Sequence, residues 1–170
     1  MKFERFIDKN QFEEYLKIAA ITAKENEDAD FQDIVVPDWA RDAITEAFEY
    51  TVRLADDYRL VPKHFVLYGL WNDAGILVGV ISFSIDRHIP GSVHVDYVAI
   101  RKDERGKGYG AVLMNNAVEV ARKHSDARQL LLSTVLAKNF YERVGMEVIG
   151  TIESEDAGLL STKYFLRKKI

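Results

Sequence analysis

The succession of strand-like and helix-like segments predicts a single α/β (α+β) domain of about seven strands and about four helices. Three observations carry that expectation. Short runs rich in β-branched and aromatic residues alternate with amphipathic stretches of helical period. The joints between them fall at Gly, Pro, Asn and Asp. The 170 residues suffice for one substantial core, and no internal repeat, low-complexity tract or linker divides them, so residues 1–170 are expected to form one domain.

The elements follow in order. Residues 3–7 read as a short first strand, after which Asp8 caps a helix over about 10–24, with Phe12, Tyr15, Leu16, Ala19 and Ala20 on one face. A polar loop precedes Pro37-Asp38, which opens a second helix to about residue 55 striped by Ile44, Ala47, Phe48, Thr51 and Leu54. Strands over 64–71 and 76–85 flank the hairpin turn Asn72-Asp73-Ala74-Gly75. A turn containing Pro90-Gly91 leads into a strand over 93–100. Tyr109, Val112, Leu113, Asn116, Ala117 and Val120 then recur at helical spacing, the helix ending near Arg122-Lys123-His124. The apolar run 129–135 has buried-strand character, 137–144 is a short helix closed by Gly145, and 146–153 and 162–167 are strands around a loop at 154–161.

Composition narrows the function. The chain has no cysteine, which excludes disulfides, thiolate metal sites and a cysteine nucleophile. No apolar run approaches the roughly 20 residues of a membrane helix, and the first residues lack a signal-peptide pattern, so a soluble cytoplasmic protein is expected. Residues 1–60 carry 8 Lys+Arg against 15 Asp+Glu, while the remainder carries 15 against 12. The acidic third suits either a cationic partner or a solvated surface. No basic stripe with interleaved aromatics appears, which disfavours nucleic acid.

The most informative segment is Arg105-Gly106-Lys107-Gly108-Tyr109-Gly110, between a strand and a long helix. Glycines there let a ligand approach the backbone, and the helix start offers unpaired N–H groups with the positive end of its dipole. Such a place suits a phosphate or diphosphate, and Arg105 and Lys107 add positive charge. The spacing matches neither a P-loop nor the G-x-G-x-x-G dinucleotide fingerprint. It does match Arg/Gln-x-x-Gly-x-Gly/Ala, with Arg105, Gly108 and Gly110 in the defining positions. On that motif the chain resembles the GNAT N-acetyltransferase superfamily, whose pyrophosphate loop for acetyl-CoA has this pattern. The stretch from Val98-Ala99-Ile100 through Gly108-Tyr109-Gly110-Ala111 is similar to the corresponding part of its histone acetyltransferases. The element order resembles the complete superfamily layout, implying a central mixed, mostly antiparallel twisted sheet.

The resemblance also implies site residues. Amides of Arg105, Gly106, Lys107, Gly108, Tyr109, Gly110 and the adjoining Ala111 would hold the diphosphate of acetyl-CoA. Amides around Val98, Ala99 and Ile100 would pair with the pantetheine, one of them polarising the thioester carbonyl. The segment Asn139-Phe140-Tyr141-Glu142-Arg143-Val144-Gly145-Met146 resembles the family's Asn-x-x-Phe/Tyr-Tyr-Glu-x-Gly-Phe region, with Met146 replacing the usual aromatic. It implies a pantetheine contact for Asn139 and a place beside the CoA sulfur for Tyr141. A phenol near pKa ~10 within reach of a leaving thiolate near ~8.5 can serve as its acid; packing in the core is the alternative for Tyr141.

Amine acylation also needs a proton acceptor. His94 and Asp96 lie two apart on the 93–100 strand, so period 2 places both on one face, together with Val98 and Ile100. His94 falls where the related histone acetyltransferases carry a glutamate base. His94 ranks first as base and Asp96 second, and hydrogen bonding within the sheet remains an alternative for each. Without cysteine, direct attack of an amine on bound acetyl-CoA is favoured over a covalent enzyme intermediate.

Expected partners are therefore acetyl-CoA or CoA and an amine acceptor, with neither nucleic acid nor membrane, and with a homodimer left open. The acceptor is a cationic small molecule or a peptide or protein amine, for which Phe31, Trp39, Phe48 and Tyr50 either line a pocket or pack the helices. A metal site from His88, His94 and Asp96 lacks paired-histidine spacing, and a triad using Ser82 or Ser84 lacks G-x-S-x-G. The alternative of a different class is a GNAT-like module that binds acyl-CoA without turnover.

Overall fold

The computed structural model describes residues 1–22, 26, 29–53, 66–85, 88–123, 126–156 and 159–170. In chain order the elements are β1 (Lys2–Arg5), α1 (Phe12–Ala19), α2 (Asp38–Arg53), β2 (Val66–Trp71), β3 (Leu77–Ile85), β4 (Ser92–Ile100), α3 (Tyr109–Arg122), β5 (Gln129–Thr134), α4 (Lys138–Arg143), β6 (Glu147–Asp156) and β7 (Leu159–Lys169). This is the order the sequence predicts. The strands form one mixed sheet, β1-β2-β3-β4-β5-β7-β6, in which only the β4–β5 pair is parallel.

Local chemistry explains the element ends. Asp8 Oδ1 accepts from the Asn10 amide at 2.8 Å, but the turn it caps is a 3₁₀ turn over Lys9–Gln11, and α1 proper begins at Phe12. The helix expected over about 10–24 is shorter at its described end: α1 stops at Ala19 and the chain leaves it in a second 3₁₀ turn at Ala20–Thr22. The buried Asn26 amide holds that departure by donating to Ala20 O (2.9 Å) and Val35 O (2.7 Å). Expected positions 23–24, 54–55, 64–65, 87 and 124 lie outside the described residues. In the expected loop at 154–161 the described residues are instead paired strand, with Ser154 opposite Ser161 and Glu155 opposite Leu160, while 157–158 lie outside the described residues. The polar sequence concealed these strands because Ser154, Glu155 and Leu160 are exposed, with no buried face to impose apolar alternation.

Strand alternation builds a core on each face. On one face Val66, Ile81, Phe83, Val93, Val95, Leu130 and Leu132 pack with Leu113, Met114 and Ala117 of α3 and Tyr141 of α4. On the other, Leu67, Leu77, Val80 and Ala99 pack with Tyr15, Leu16 and Ile18 of α1 and Ile44, Ala47 and Phe48 of α2. α3 comes close because Gly79 has no side chain; a Cβ there would lie 2.6 Å from Leu113 Cδ1. The buried Thr51 hydroxyl fastens α2 to β2, donating to Ala47 O (2.7 Å) and accepting from the Leu67 amide (3.0 Å).

Two irregularities of β4 shape the site. Its pairing with β3 shifts register, so that Tyr97 lies opposite Ser82 and Val95 opposite Phe83, leaving Asp96 as a bulge residue. Its pairing with β5 covers only Ser92, Val93 and His94, whereas β5 continues to Thr134 against β7. From residue 95 onward β4 is therefore bonded to β3 alone, and the sheet opens between β4 and β5.

Candidate active site

The glycine segment sits at the end of that opening. After β4, Lys102–Glu104 form a 3₁₀ turn and the Arg105 amide closes it on Lys102 O at 3.2 Å. That amide is thereby spent, unlike the expectation that assigned it to an anion. The amides of Gly106, Lys107, Gly108, Tyr109 and Gly110 have no acceptor among the described residues. Gly108 is the N-cap of α3 in the left-handed conformation (φ 86°), without a side-chain cap, and its carbonyl accepts from Ala111 and Val112. The helix start thus presents uncapped donors and the positive end of a 14-residue dipole.

Charge at the loop is only moderately positive. Residues 101–107 hold four cations against two carboxylates. The Lys107 ammonium pairs with Glu104 at 2.8 Å, a contact that, with the nearby carboxylate charge, raises its pKa. Arg105 is exposed, and its Nε donates to Ile100 O at 3.3 Å. The missing side chain of Gly110 also lets α4 approach, since a Cβ there would lie 2.9 Å from Phe140 Cζ.

Tyr141 is 8 % exposed and belongs to the α3-face cluster with Val98 and Ile100. It meets Phe140 edge-on at 5.0 Å between ring centroids. Among the described residues its hydroxyl has no hydrogen-bond partner, and burial pushes its pKa up to about 12. Asn139 is exposed on the first turn of α4, and the Thr134 hydroxyl accepts from the Ala137 amide (3.1 Å) at the entry to that helix.

His94 and Asp96 do meet: His94 Nδ1 lies 3.0 Å from Asp96 Oδ1. The Ser84 hydroxyl also donates to Asp96 Oδ1, at 3.2 Å. The expectation that they share a face with Val98 and Ile100 is corrected by the bulge. Val93 and Val95 pack in the α3-face core, so His94 points to the α1/α2 face. Beyond Asp96 the phase reverses, with Val98 and Ile100 on the α3 side and Tyr97 and Ala99 on the other. Tyr141 and the His94–Asp96 pair thus lie on opposite faces of a sheet that is open between them.

The neighbouring groups are otherwise engaged. Tyr97 donates to Tyr15 Oη at 2.8 Å and Tyr15 to Ile81 O at 3.3 Å; burial first of all holds both phenols well above the ordinary tyrosine pKa. Ser82 is fully buried, and its hydroxyl has no partner among the described residues. Neither Ser82 nor Ser84 bonds to His94, so no serine triad is assembled. No group of three or more metal-ligating side chains occurs among the described residues. Among those residues no helix is long and apolar enough to cross a membrane.

Several acidic residues of the first third are committed to neighbours: Glu13 to Arg41 (2.8 Å), Glu14 to Arg101 (2.8 Å) and Glu4 to Lys2 (2.5 Å). Of the four aromatics, Phe48 is core, Trp39 is 70 % exposed, Phe31 lies under the Arg101 guanidinium at 4.3 Å, and Tyr50 is half-buried. The sequence reading missed Ser84 as the partner of Asp96, and Phe140 as the ring that packs against Gly110. A hydroxyl two strand positions from Ser82 gave no signal of its own, because its role arises only through the cross-strand register.

The site thus combines a seven-stranded sheet opened between its two parallel strands with uncapped amides at the start of α3. Residues 28–146 match the profile of the acetyltransferase (GNAT) family, and the chain belongs to that family. A protein of Acinetobacter baylyi ADP1 classed as an acetyltransferase is 20% identical, with 99% of this chain and 92% of that one covered at a TM-score of 0.72. A GNAT-family acetyltransferase from Streptococcus pneumoniae is 15% identical, with 99% of each covered and a TM-score of 0.69. A spermidine N-acetyltransferase SpeG chimera from Vibrio cholerae and hSSAT is 14% identical over 99% of this chain and 96% of that one, TM-score 0.67. At these identities the likeness speaks for the fold.

Proposed function

We propose that the protein is an N-acetyltransferase that transfers the acetyl group of acetyl-CoA directly to a primary amine in a ternary complex. The observation that carries this reading is the run of unpartnered amides from Gly106 to Gly110, at the end of the opening between β4 and β5. The residues present fit such a donor. The amides and α3 dipole suit a diphosphate, and the unpaired edge of β4 at Val98–Ile100 suits the amide-bearing pantetheine arm. Acetyl-CoA, when bound, supplies an activated acyl group on a thiol leaving group.

The chain's own groups would then divide the work. A main-chain N–H of the free β4 edge would stabilise charge developing on the thioester oxygen. Asn139, exposed at the start of α4, would steady the pantetheine arm. Tyr141 is protonated at every physiological pH, so its unpartnered hydroxyl is a donor for the leaving sulfur. Complete proton transfer from a phenol at about 12 to a thiolate near ~8.5 is uphill by roughly 3–4 units, about 5 kcal/mol. Tyr141 therefore supports the thiolate mainly through a hydrogen bond, and the proton follows later. On the opposite face, His94 or Asp96 would accept the proton of the attacking amine, directly or through water.

The acceptor is a cationic small molecule or a peptide or protein amine. Because Glu4, Glu13 and Glu14 are paired internally, recognition of a cation would fall to acidic groups of the α1–α2 region not so engaged. Calorimetry with CoA and acetyl-CoA, followed by thiol release against pooled amines, tests the proposal. Saturable binding with amine-dependent thiol release is expected. Binding without release would make the domain an acyl-CoA-binding module, and absence of binding by folded protein would overturn both readings.

A further inference from the structure

We infer that Ser84 and Asp96 are positioning residues that fix the tautomer and orientation of His94, making its Nε2 the base. This inference rests on the proposed acetyl transfer and names the part each side chain takes in it.

Three neighbouring groups carry the argument. Ser84 lies directly opposite His94 across the β3–β4 ladder, so both side chains emerge on the same face. Asp96, two residues beyond His94, occupies the bulge, and its carboxylate meets both neighbours. Oδ1 receives the Ser84 hydroxyl at 3.2 Å and His94 Nδ1 at 3.0 Å. A carboxylate can only accept, so the Nδ1 contact requires the proton on Nδ1 and leaves the lone pair of a neutral ring on Nε2. The arrangement separates the two candidate bases by role. Asp96 holds the ring, and the Ser84 hydroxyl, which bonds to Asp96 and not to His94, holds Asp96.

The His94 side chain is 33% exposed, so part of the ring is open to an acceptor. Asp96 is the charged group that bonds to His94; the β5 residue opposite His94 is Leu131, which carries no charge. The opening between β4 and β5 begins directly after His94, so the ring stands at the mouth through which an acyl carbon would be reached.

The test combines one measurement on the unaltered protein with a mutant cycle. In ¹⁵N-resolved histidine spectra, assigned with His94→Gln, neutral His94 is expected as the Nδ1–H tautomer; an Nε2–H tautomer overturns the inference. In turnover assays Ser84→Val is expected to lower kcat about three- to tenfold with the KM for acetyl-CoA unchanged. Ser84→Thr, which keeps the hydroxyl in nearly the same volume, is expected to restore most of it. In the His94→Gln background the Ser84→Val effect is expected to vanish, because the positioned group is gone. An undiminished effect there would show a merely structural serine and overturn the inference, as would full activity of Ser84→Val alone. Should the Ser84 variants fail to fold, the tautomer in the unaltered protein still decides. A wild-type protein that binds no CoA or releases no thiol would instead sink the proposed function, a result the tautomer measurement does not share.

Discussion

The two faces of β4 differ in what they are made of. On the α3 side the candidate site consists largely of main-chain groups: five amides freed by glycine geometry and a strand edge released from its neighbour. On the α1/α2 side it consists of side chains, a serine, a histidine and an aspartate whose meeting depends on one bulge residue. Main-chain sites tolerate changes of side chain provided the backbone path survives. Side-chain sites fail with a single atom. The prediction of largest effect exploits the one side chain on which the α3 face does depend. Tyr141→Phe is expected to lower kcat on the order of 100-fold, while acetyl-CoA affinity measured by calorimetry changes less than about twofold. Equal turnover would remove Tyr141 from the chemistry.

The opposite face should break more gradually. His94→Gln is expected to lower kcat on the order of 10- to 100-fold in thiol-release assays. Asp96→Asn should cost less, on the order of tenfold, because an amide can still hold the ring. If Asp96→Asn costs more than His94→Gln, their roles are reversed.

Within the glycine segment the comparison can be sharpened further. Gly108→Ala forces a residue with a Cβ into a left-handed conformation, at about 1–2 kcal/mol, and displaces the donors. Thermal melts should show that loss together with weaker CoA binding. Gly110→Ala meets only the far edge of the Phe140 ring and gains helix propensity, about 1 kcal/mol. It should leave CoA binding intact and move stability by less than Gly108→Ala does. The reverse order would mean that Gly110, not Gly108, shapes the anion site.

This contrast also explains what could be read from the sequence. Glycine spacing, helix stripes and β-branched runs are local, so the order of all eleven elements, the glycine segment's position before α3 and that of Tyr141 on the short helix α4 were legible. The face of His94 was not, because a bulge shifts the phase of every later residue and depends on the register with β3. The strand pairing within 154–161 escaped because Ser154, Glu155 and Leu160 are exposed and so carry no apolar alternation. Ser84 escaped for a related reason: cross-strand partnership leaves no mark along the chain.

A further expected effect concerns pH outside the working range. Tyr141 ionises at about 12 in the folded protein against about 10 when unfolded, so folding favours its neutral form. That contribution is complete below pH 10 and is lost as pH rises toward 12, by about 1.4 kcal/mol per pH unit for this group. Tyr15 and Tyr97 shift in the same direction. Ultraviolet titration should find that Tyr15, Tyr97 and Tyr141 resist ionisation until the protein unfolds. Ordinary titration of these tyrosines would contradict the burial of their rings.

The central claim, that the uncapped start of α3 grips a diphosphate, is tested most directly by comparing acetyl-CoA with S-acetylpantetheine, which has the same reactive end and no phosphate. Calorimetry on folded protein should give one-to-one binding of acetyl-CoA at least about 100-fold tighter than that of the phosphate-free analogue. Equal affinities, or no uptake of acetyl-CoA, would contradict the account.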